Sequence, residues 1–290
     1  MKKNLKKLVN QFKITLFYIA PLHFISYITF KASRIEDSTI KNFLIKIYIS
    51  IFKISLDEYK IKDVKKYKSL NDFFTRELDL SFRKKIESSN DIISPCDGTI
   101  AGFGNINEDT FIHAKKQKYF VSELIQDNKN NLNNGKFINI YLEPKDCHRI
   151  YMPCDALLTK ITHVPGSLYS VAPYATEGIK KLYSKNERVI LNFKNDKFCF
   201  YLVMVGAVNV GCISLSDYGV IAPSRQRTSI IRFNNEENTK HYKKGEEIGM
   251  FNLGSTVILL INTIDGVWPN NVEINKKVLI RDEIVRPTNF

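Results

Sequence analysis

The sequence predicts an α+β protein, with N-terminal amphipathic helices followed by a mainly antiparallel β domain. Up to about residue 60, apolar residues recur at helical spacing. From about residue 90, short β-branched runs alternate with turn signals such as Asp97-Gly98 and Pro165-Gly166. With 44% hydrophobic and 25% charged residues, the 290-residue chain has the composition of a folded protein. We therefore divide it into a helical region, 1–68, and a β domain, 69–290.

The first thirty residues combine a basic segment, Met1 to Lys13, with an apolar run without formal charge, Ile14 to Phe30. The run is shorter than a usual transmembrane helix and contains Pro21 and His23. No small-residue cleavage site follows it, so a signal peptide is not indicated. We expect this segment to lie in the interface of a membrane rather than to cross it.

Two further helices are predicted before residue 80. Residues Lys41 to Ser55 place an apolar stripe on one helical face, which fits either packing on the core or contact with a membrane. The segment Ser69-Leu70-Asn71-Asp72 resembles a capping box and predicts a short helix running through Arg76. The members of the apolar stripe are Phe43, Leu44, Ile47, Tyr48, Ile51 and Phe52.

The β domain is predicted from apolar and β-branched runs of strand length. The turn signals between these runs favour antiparallel neighbours. The candidate strands are residues 137–142, 188–193, 199–205, 207–214, 228–232 and 256–262.

The net charge of +13 favours an anionic partner, either nucleic acid or an acidic membrane surface. No known nucleic-acid-binding module is recognisable, so no nucleic acid is expected. A basic patch, His113 with Lys115, Lys116 and Lys118, fits either a solvated loop or contact with a lipid phosphate or carboxylate. The five cysteines are odd in number and form no Cys-x-x-Cys pair. This argues against a disulfide framework or a zinc site and favours a reducing compartment.

The step Gly254-Ser255-Thr256 lies between apolar runs near the C-terminal end. By itself it predicts a turn, because glycine supplies the backbone freedom. The chemical alternative is attack of the Ser255 hydroxyl on the Gly254 carbonyl, which needs a held turn, a base and donors for the oxyanion. Further motifs follow one another along nearly the whole chain: Phe73-Phe74-Thr75-Arg76, Ser94-Pro95-Cys96-Asp97-Gly98, Pro144-Lys145-Asp146-Cys147-His148-Arg149, Val164-Pro165-Gly166, Asn186-Glu187-Arg188-Val189 and Val205-Gly206-Ala207.

Together with Leu253-Gly254-Ser255-Thr256, this ordered set resembles the phosphatidylserine decarboxylases of bacterial type. The resemblance implies self-cleavage between Gly254 and Ser255 into residues 1–254, the beta chain, and 255–290, the alpha chain. Ser255 would become a covalent pyruvoyl group, which forms a Schiff base with the serine amine of phosphatidylserine and allows decarboxylation to phosphatidylethanolamine. Neither a metal nor pyridoxal phosphate (PLP) is expected.

The resemblance also implies where the protein works. Its substrate, phosphatidylserine in an anionic membrane, agrees with the basic N-terminal region and predicts a protein peripheral on the cytoplasmic face of the cell membrane. The two cleavage products are expected to remain a non-covalent heterodimer, which dimerises further. Residues 1–68 would form the membrane-associating region, and 69–290 the pyruvoyl decarboxylase catalytic domain.

Two residues are candidate catalytic groups besides Ser255. Asp97 by itself is typical of a turn before Gly98, but the resemblance implies that it orients and charges the catalytic base. His148 by itself is typical of a structural histidine, but the resemblance implies a part in decarboxylation as the proton donor. An imidazole suits proton transfer because its ordinary pKa lies near neutrality.

The sequence departs from the family pattern at Tyr151, where a second histidine, the base of self-cleavage, is expected. A phenol with an ordinary pKa of about 10 is a poor base at neutral pH. Three alternatives stay open: His148 serves both steps, another histidine such as His163 lies nearby, or processing is slow or absent. The last alternative predicts an unprocessed, catalytically impaired lipid-binding protein at the membrane surface.

Overall fold

The computed structural model describes residues 2–86, 91–113, 117–208, 212–222, 228–233, 239–252, 254–262, 266–286 and 288. The predicted fold class, α+β with N-terminal helices and antiparallel sheets, is confirmed. The helices are α1 Lys2–Ile19, α2 Leu22–Ala32, α3 Ser38–Phe52, α4 Leu70–Phe74, α5 Val121–Ile125, α6 Pro173–Gly178 and α7 Leu182–Lys185, with single 3-10 turns at Val64–Lys66 and Leu80–Phe82.

The strands form one large sheet and several small ones. They are β1 Ile92–Ile93, β2 Gly98–Asn105, β3 Thr110–His113, β4 Gln117–Phe120, β5 Lys136–Leu142, β6 Arg149–Tyr151, β7 Ala156–Val164, β8 Arg188–Lys194, β9 Cys199–Val205, β10 Ile213–Leu215, β11 Gly219–Ala222, β12 Ser229–Arg232, β13 His241–Tyr242, β14 Glu247–Phe251, β15 Ser255–Ile261, β16 Lys277–Val278 and β17 Glu283–Val285.

The large sheet has the strand order β12-β7-β8-β9-β15-β5-β2-β16, and β13 also pairs with β7. Its neighbouring strands are antiparallel throughout. A second sheet has the order β11-β10-β14-β6, and the pairs β1-β17 and β3-β4 stand apart. As a result, β14 and β15 follow one another in the chain but belong to different sheets.

The centre of the core is β15. All seven of its residues are buried, and it lies between β5 and β9, which are also largely buried. Its continuous apolar run, Val257 to Ile261, is typical of a strand covered on both faces. Ser255 is thus the first residue of the most protected strand of the sheet.

The helix predicted at Lys41 to Ser55 is observed as α3, which begins and ends three residues earlier. It begins earlier because the Asp37 side chain accepts hydrogen bonds from two backbone N–H groups of the first turn. It ends earlier because Lys53 adopts a left-handed φ of 52°. A polar cap and a left-handed residue therefore set the helix bounds that apolar spacing alone did not predict.

The serine cap predicted at Ser69 is confirmed, whereas the return bond of a capping box goes to the residue before the cap. The Asp72 N–H donates to Ser69 Oγ at 3.2 Å, and Asp72 Oδ2 accepts from the Lys68 N–H at 2.8 Å. The helix ends at Phe74, two residues before the predicted end. The reason is that the Arg76 guanidinium folds back onto the last carbonyls of the helix.

Helices α1 and α2 are separate because Pro21 lacks the N–H that a continuous helix needs. Among the described residues, no single helix is long and apolar enough to cross a bilayer. The two helical segments Leu8–Ile19 and Leu22–Ala32, which meet at a bend of 90°, are together long and apolar enough to do so.

One of the predicted strands, 207–214, is wrong. The chain leaves the large sheet after Val205 and enters the second sheet only at Ile213, so the strand there is the short β10. Residues 209–211 lie outside the described part of the chain. The other candidate strands match β5, β8, β9, β12 and β15 to within one residue at each end.

The central position of β15 predicts a large difference between two isoleucines. Ile258 is 0% exposed in β15, whereas Ile230 is 47% exposed in the edge strand β12. Ile258→Ala should lower the free energy of unfolding by about 2–5 kcal/mol through lost burial and a residual cavity. The matched Ile230→Ala should change it by about 0.5 kcal/mol or less. Equal effects in urea titrations would contradict the placement of β15 at the centre of the core.

Candidate active site

Two connections between the sheets run side by side. Residues 143–148 lead from β5 of the large sheet to β6 of the second sheet, and residues 252–254 lead back from β14 to β15. At one end, Ser255 pairs with the last residue of β5. At the other end, the Phe251 N–H donates to the His148 carbonyl at 3.0 Å. The pairing therefore brings His148 next to the connection that ends in Ser255.

The Ser255 hydroxyl is buried at the end of this connection. The residue is 1% exposed, and its Oγ has no hydrogen-bond partner among the described residues. A buried polar group without a hydrogen-bond partner lowers the stability of the fold, so its presence calls for a functional explanation. Gly254, just before it, has a φ of +47°, in the left-handed region that favours glycine. Leu253 lies outside the described residues.

Asn252 fixes the start of the 252–254 connection. Its Nδ2 donates to the Cys212 carbonyl at 3.1 Å and to Ser214 Oγ at 2.9 Å. Its Oδ1 accepts from Asn71 Nδ2 at 3.3 Å. The segment before the Gly254–Ser255 bond is therefore anchored. The sequence analysis missed this residue, although a polar side chain directly after the apolar strand β14 was an available signal.

His148 is fully buried, and its ring packs on Phe74 with the ring centroids 4.1 Å apart. Nδ1 lies 3.0 Å from the Asp146 carbonyl oxygen, so Nδ1 carries the proton and Nε2 the lone pair. Nε2 has no hydrogen-bond partner within the described ranges. Burial, followed by the positive charge of Arg76, lowers the pKa of His148 to about 3. The imidazole is therefore neutral at pH 7 and its lone pair can accept a proton.

Two arginines hold the connection that carries His148. Arg76, which is 1% exposed, donates from Nη2 to the Lys145 carbonyl at 2.6 Å. Arg149 donates from Nη1 to both carboxylate oxygens of Glu247, at 2.9 Å each. These contacts explain the Phe73-Phe74-Thr75-Arg76 motif, to which the sequence analysis assigned no role. One of its aromatic rings packs on the imidazole, and its arginine fixes the backbone beside it.

Asp97 lies in a buried ion pair. Arg83 donates from Nη2 to Asp97 Oδ2 at 2.7 Å and from Nε to Oδ1 at 3.3 Å. The Ile280 N–H donates to Oδ1 at 2.7 Å. Burial raises the pKa of the Asp97 carboxyl, while Arg83 and the Ile280 amide oppose this shift. No hydrogen bond joins Asp97 to His148 in the described part of the chain. Its role in orienting a base stays a prediction.

Tyr151, at the position of the expected second histidine, is 3% exposed. It packs in one cluster with Tyr59 and with Ile280, whose N–H binds Asp97. Burial raises the pKa of the Tyr151 phenol above its ordinary value, so the phenol is an even poorer base than in water. A histidine at this position would lie in the neighbourhood of Asp97.

His163 lies away from Ser255. It belongs to β7, which is three strands from β15 and therefore roughly 14 Å away at the usual strand spacing. Its Nε2 lies 2.8 Å from Glu187 Oε1 in a buried pair. Of the histidines considered from the sequence, His148 lies beside the 252–254 connection, whereas His163 does not.

The buried neutral His148 predicts a pH dependence of stability. Its folded-state pKa, about 3, lies below the ordinary value of 6.5. The stability that comes from keeping the ring neutral is therefore complete above about pH 6.5 and is lost as the pH falls towards 3. In a Ser255→Ala background, His148→Gln should remove about 1.4 kcal/mol per pH unit from the slope. Equal slopes in urea titrations between pH 6.5 and 4.5 would contradict a buried neutral imidazole.

Comparison with known proteins gives a consistent result. The family model for phosphatidylserine decarboxylase matches residues 70–286. A phosphatidylserine decarboxylase proenzyme of Alkalilimnicola ehrlichii is 37% identical over 88% of this chain and 90% of its own length. The corresponding proenzyme of Pseudoalteromonas translucida is 38% identical, over 87% and 89%, and that of Francisella tularensis subsp. novicida 39% identical, over 85% and 87%. The chain therefore belongs to the phosphatidylserine decarboxylase family.

Proposed function

We propose that this protein cleaves itself between Gly254 and Ser255 and uses the resulting pyruvoyl group to decarboxylate phosphatidylserine to phosphatidylethanolamine. Family membership supports the reaction, and the relatives are described as proenzymes. One observation carries the proposal. Two buried polar atoms, Ser255 Oγ and His148 Nε2, have no hydrogen-bond partner among the described residues and lie at opposite ends of two adjoining connections between the sheets.

The cleavage follows from what these residues can do. Ser255 Oγ attacks the Gly254 carbonyl carbon, and His148 Nε2 takes the hydroxyl proton. The C–N bond breaks and its nitrogen gains that proton, which leaves an ester between Gly254 and the Ser255 side chain. Removal of the Ser255 α-proton then expels the Gly254 carboxylate and leaves dehydroalanine. Addition of water and loss of ammonia complete the pyruvoyl group.

The site suits formation of a pyruvoyl group from Ser255. Gly254 has no side chain to shield its carbonyl from attack, and the Ser255 hydroxyl has no competing hydrogen-bond partner among the described residues. The pyruvoyl group would supply an electrophilic carbonyl that bonds to the substrate amine and accepts the electron pair left on the substrate when CO2 departs. In the decarboxylation, His148 acts in the opposite sense, as a proton donor. The anionic phosphate and carboxylate of the substrate favour its protonated form against the effect of burial.

The N-terminal helices support contact with a membrane, and its placement on the cytoplasmic face stays a prediction. They carry apolar side chains that are at least half exposed, which is unusual for a surface in contact with water. Contact with a bilayer would bury these side chains and bring the lipid substrate to the enzyme. The side chains are Leu5, Leu8, Phe12, Leu16, Tyr18, Ile19, Phe24, Tyr27, Ile28, Phe43 and Ile51.

The two cleavage products would stay together without a covalent link. Residues 255–290 supply β15, which pairs on both sides with strands of residues 1–254. They also supply β16, paired with β2, and β17, paired with β1. Removal of the 255–290 fragment would open the core of the large sheet, so we infer a non-covalent heterodimer. Its further dimerisation stays a prediction.

A second candidate function follows from Tyr151. Its buried phenol, with a raised pKa, cannot replace the expected histidine as a base. If His148 does not serve in its place, the chain stays uncleaved and acts as a lipid-binding protein at the membrane surface. The two candidates differ in whether the Gly254–Ser255 bond is broken.

A panel of variants tests the assignment of the base. Wild type should split into fragments 1–254 and 255–290 and release CO2 from phosphatidylserine in detergent micelles. Ser255→Ala should stay in one piece and be inactive. His148→Gln should cleave at least about a hundredfold more slowly, because it loses the general base. Cleavage is followed on gels over time after synthesis.

Two matched control variants show whether an effect on cleavage is specific to His148. Tyr151→Phe and His163→Gln should cleave at the wild-type rate, since neither side chain is assigned to the reaction. Each variant is first checked for wild-type thermal unfolding. A folded His148→Gln that cleaves normally, or a folded His163→Gln that does not, would contradict the assignment to His148.

A further inference from the structure

A cavity of about 450 Å³ lies on the surface of the β domain, away from the Gly254–Ser255 bond. It is lined by Gln117, Lys118, Lys180, Lys181 and Lys185, which we call the lysine pocket. Lys118 belongs to the basic patch noted in the sequence, whereas Lys180 and Lys181 come just before helix α7 and Lys185 is its last residue. The fold thus gathers basic residues from two distant parts of the chain.

The lysine pocket keeps most of its positive charge. Lys181 pairs with Glu123 at 2.7 Å. Within the described residues, Lys118, Lys180 and Lys185 have no ion-pair partner, and all three are exposed. Gathering three lysines without ion-pair partners among the described residues around one cavity is unfavourable, and a bound anion would relieve the repulsion. The pocket therefore has the chemistry of an anion site.

The position of the pocket indicates where the anion comes from. Gln117 Nε2 donates to the carbonyls of Thr176 and Glu177, at 2.9 and 3.1 Å, in helix α6. The same helix packs against α1, since Ile14 lies directly over Gly178. The pocket is therefore one helix away from α1.

Further contacts join α6 to α1. The rings of Phe17 and Tyr174 lie 6.4 Å apart, and Lys13 Nζ lies 5.3 Å from the centroid of the Tyr174 ring. On α1, Leu8, Phe12 and Leu16 are at least half exposed. If α1 lies on a bilayer, the pocket lies close to its surface, since packed helices are about 8–10 Å apart from axis to axis.

We propose that the lysine pocket binds the phosphate of an anionic phospholipid, at a place separate from the catalytic site. None of its lining residues belongs to the connections 143–148 and 252–254 that form that site. The proposal rests on the membrane contact of α1 proposed above. It gives the enzyme a second lipid contact, which would orient the chain on an anionic surface without taking part in the reaction.

Binding to vesicles tests the proposal with a lipid that is not a substrate. Vesicles of phosphatidylcholine, with and without phosphatidylglycerol, present an anionic phosphate but no serine amine. Lys180→Ala/Lys185→Ala should bind the phosphatidylglycerol vesicles roughly 30-fold more weakly than wild type, because each lysine near an anionic surface contributes about fivefold. Its binding to pure phosphatidylcholine vesicles should be unchanged.

The matched control is Lys194→Ala/Lys197→Ala, which removes the same charge at the far end of β8, roughly 20 Å from Arg188. It should bind like wild type. Equal weakening in both double variants would overturn the pocket and leave a general effect of net charge. Equal binding by the pocket variant and wild type would also overturn it.

Two further outcomes separate the lysine pocket from the proposed membrane contact of α1 and from the proposed reaction. If wild type does not bind phosphatidylglycerol vesicles, both the pocket and the membrane contact are overturned. CO2 release in detergent micelles reports on the reaction independently. Soluble glycerol phosphate is titrated by calorimetry as well. If it binds wild type but not the pocket variant, while vesicle binding is equal for both, the site takes a free anion and the lipid assignment is overturned.

Discussion

The structure depends on one constraint, the crossing of the chain between two sheets at two adjacent places. The central strand β15 begins where one crossing ends. The other crossing joins β5, which pairs with β15, to β6, which pairs with β14. Because both crossings are hydrogen-bonded at each end, neither can move without disrupting a sheet. The polar groups of the site are held in this way, with Ser255 on one crossing and His148 on the other. The packing of the core thereby compensates for the cost of burying the Ser255 hydroxyl and the His148 ring nitrogen without hydrogen-bond partners among the described residues.

Burial also sets the protonation states of these groups. It leaves the Ser255 hydroxyl without a partner in the described part of the chain and lowers the pKa of His148 to about 3, so the ring is a neutral acceptor. At Tyr151, the same physical effect works against catalysis, because it raises the pKa of a phenol that would have to lose its proton. Since the phenol at position 151 is a poor base, we propose His148 as the base of self-cleavage. Asp97, bound by Arg83, remains next to the position that no longer holds a histidine.

Local patterns in the sequence predicted much of this fold. Continuous apolar runs predicted β5, β9 and β15, and a serine followed three residues later by an aspartate predicted the cap of α4. Apolar content also predicted a strand at 207–214, where the chain in fact changes sheets, because sheet membership depends on distant partners. The Gly254–Ser255 step was recognisable from its motif. The roles of Asn252 and Arg76 were not, since each acts through hydrogen bonds to backbone far away in the sequence.

Cleavage of the Gly254–Ser255 bond can be tested by the intact mass of the purified wild-type protein. Two masses are expected, and the smaller one should be that of residues 255–290 formed by simple hydrolysis, less one ammonia. That fragment should resist sequencing from its N-terminus, because a pyruvoyl group has no amine. A single mass of 33.5 kDa, in protein that is folded and has been incubated well beyond synthesis, would contradict the account.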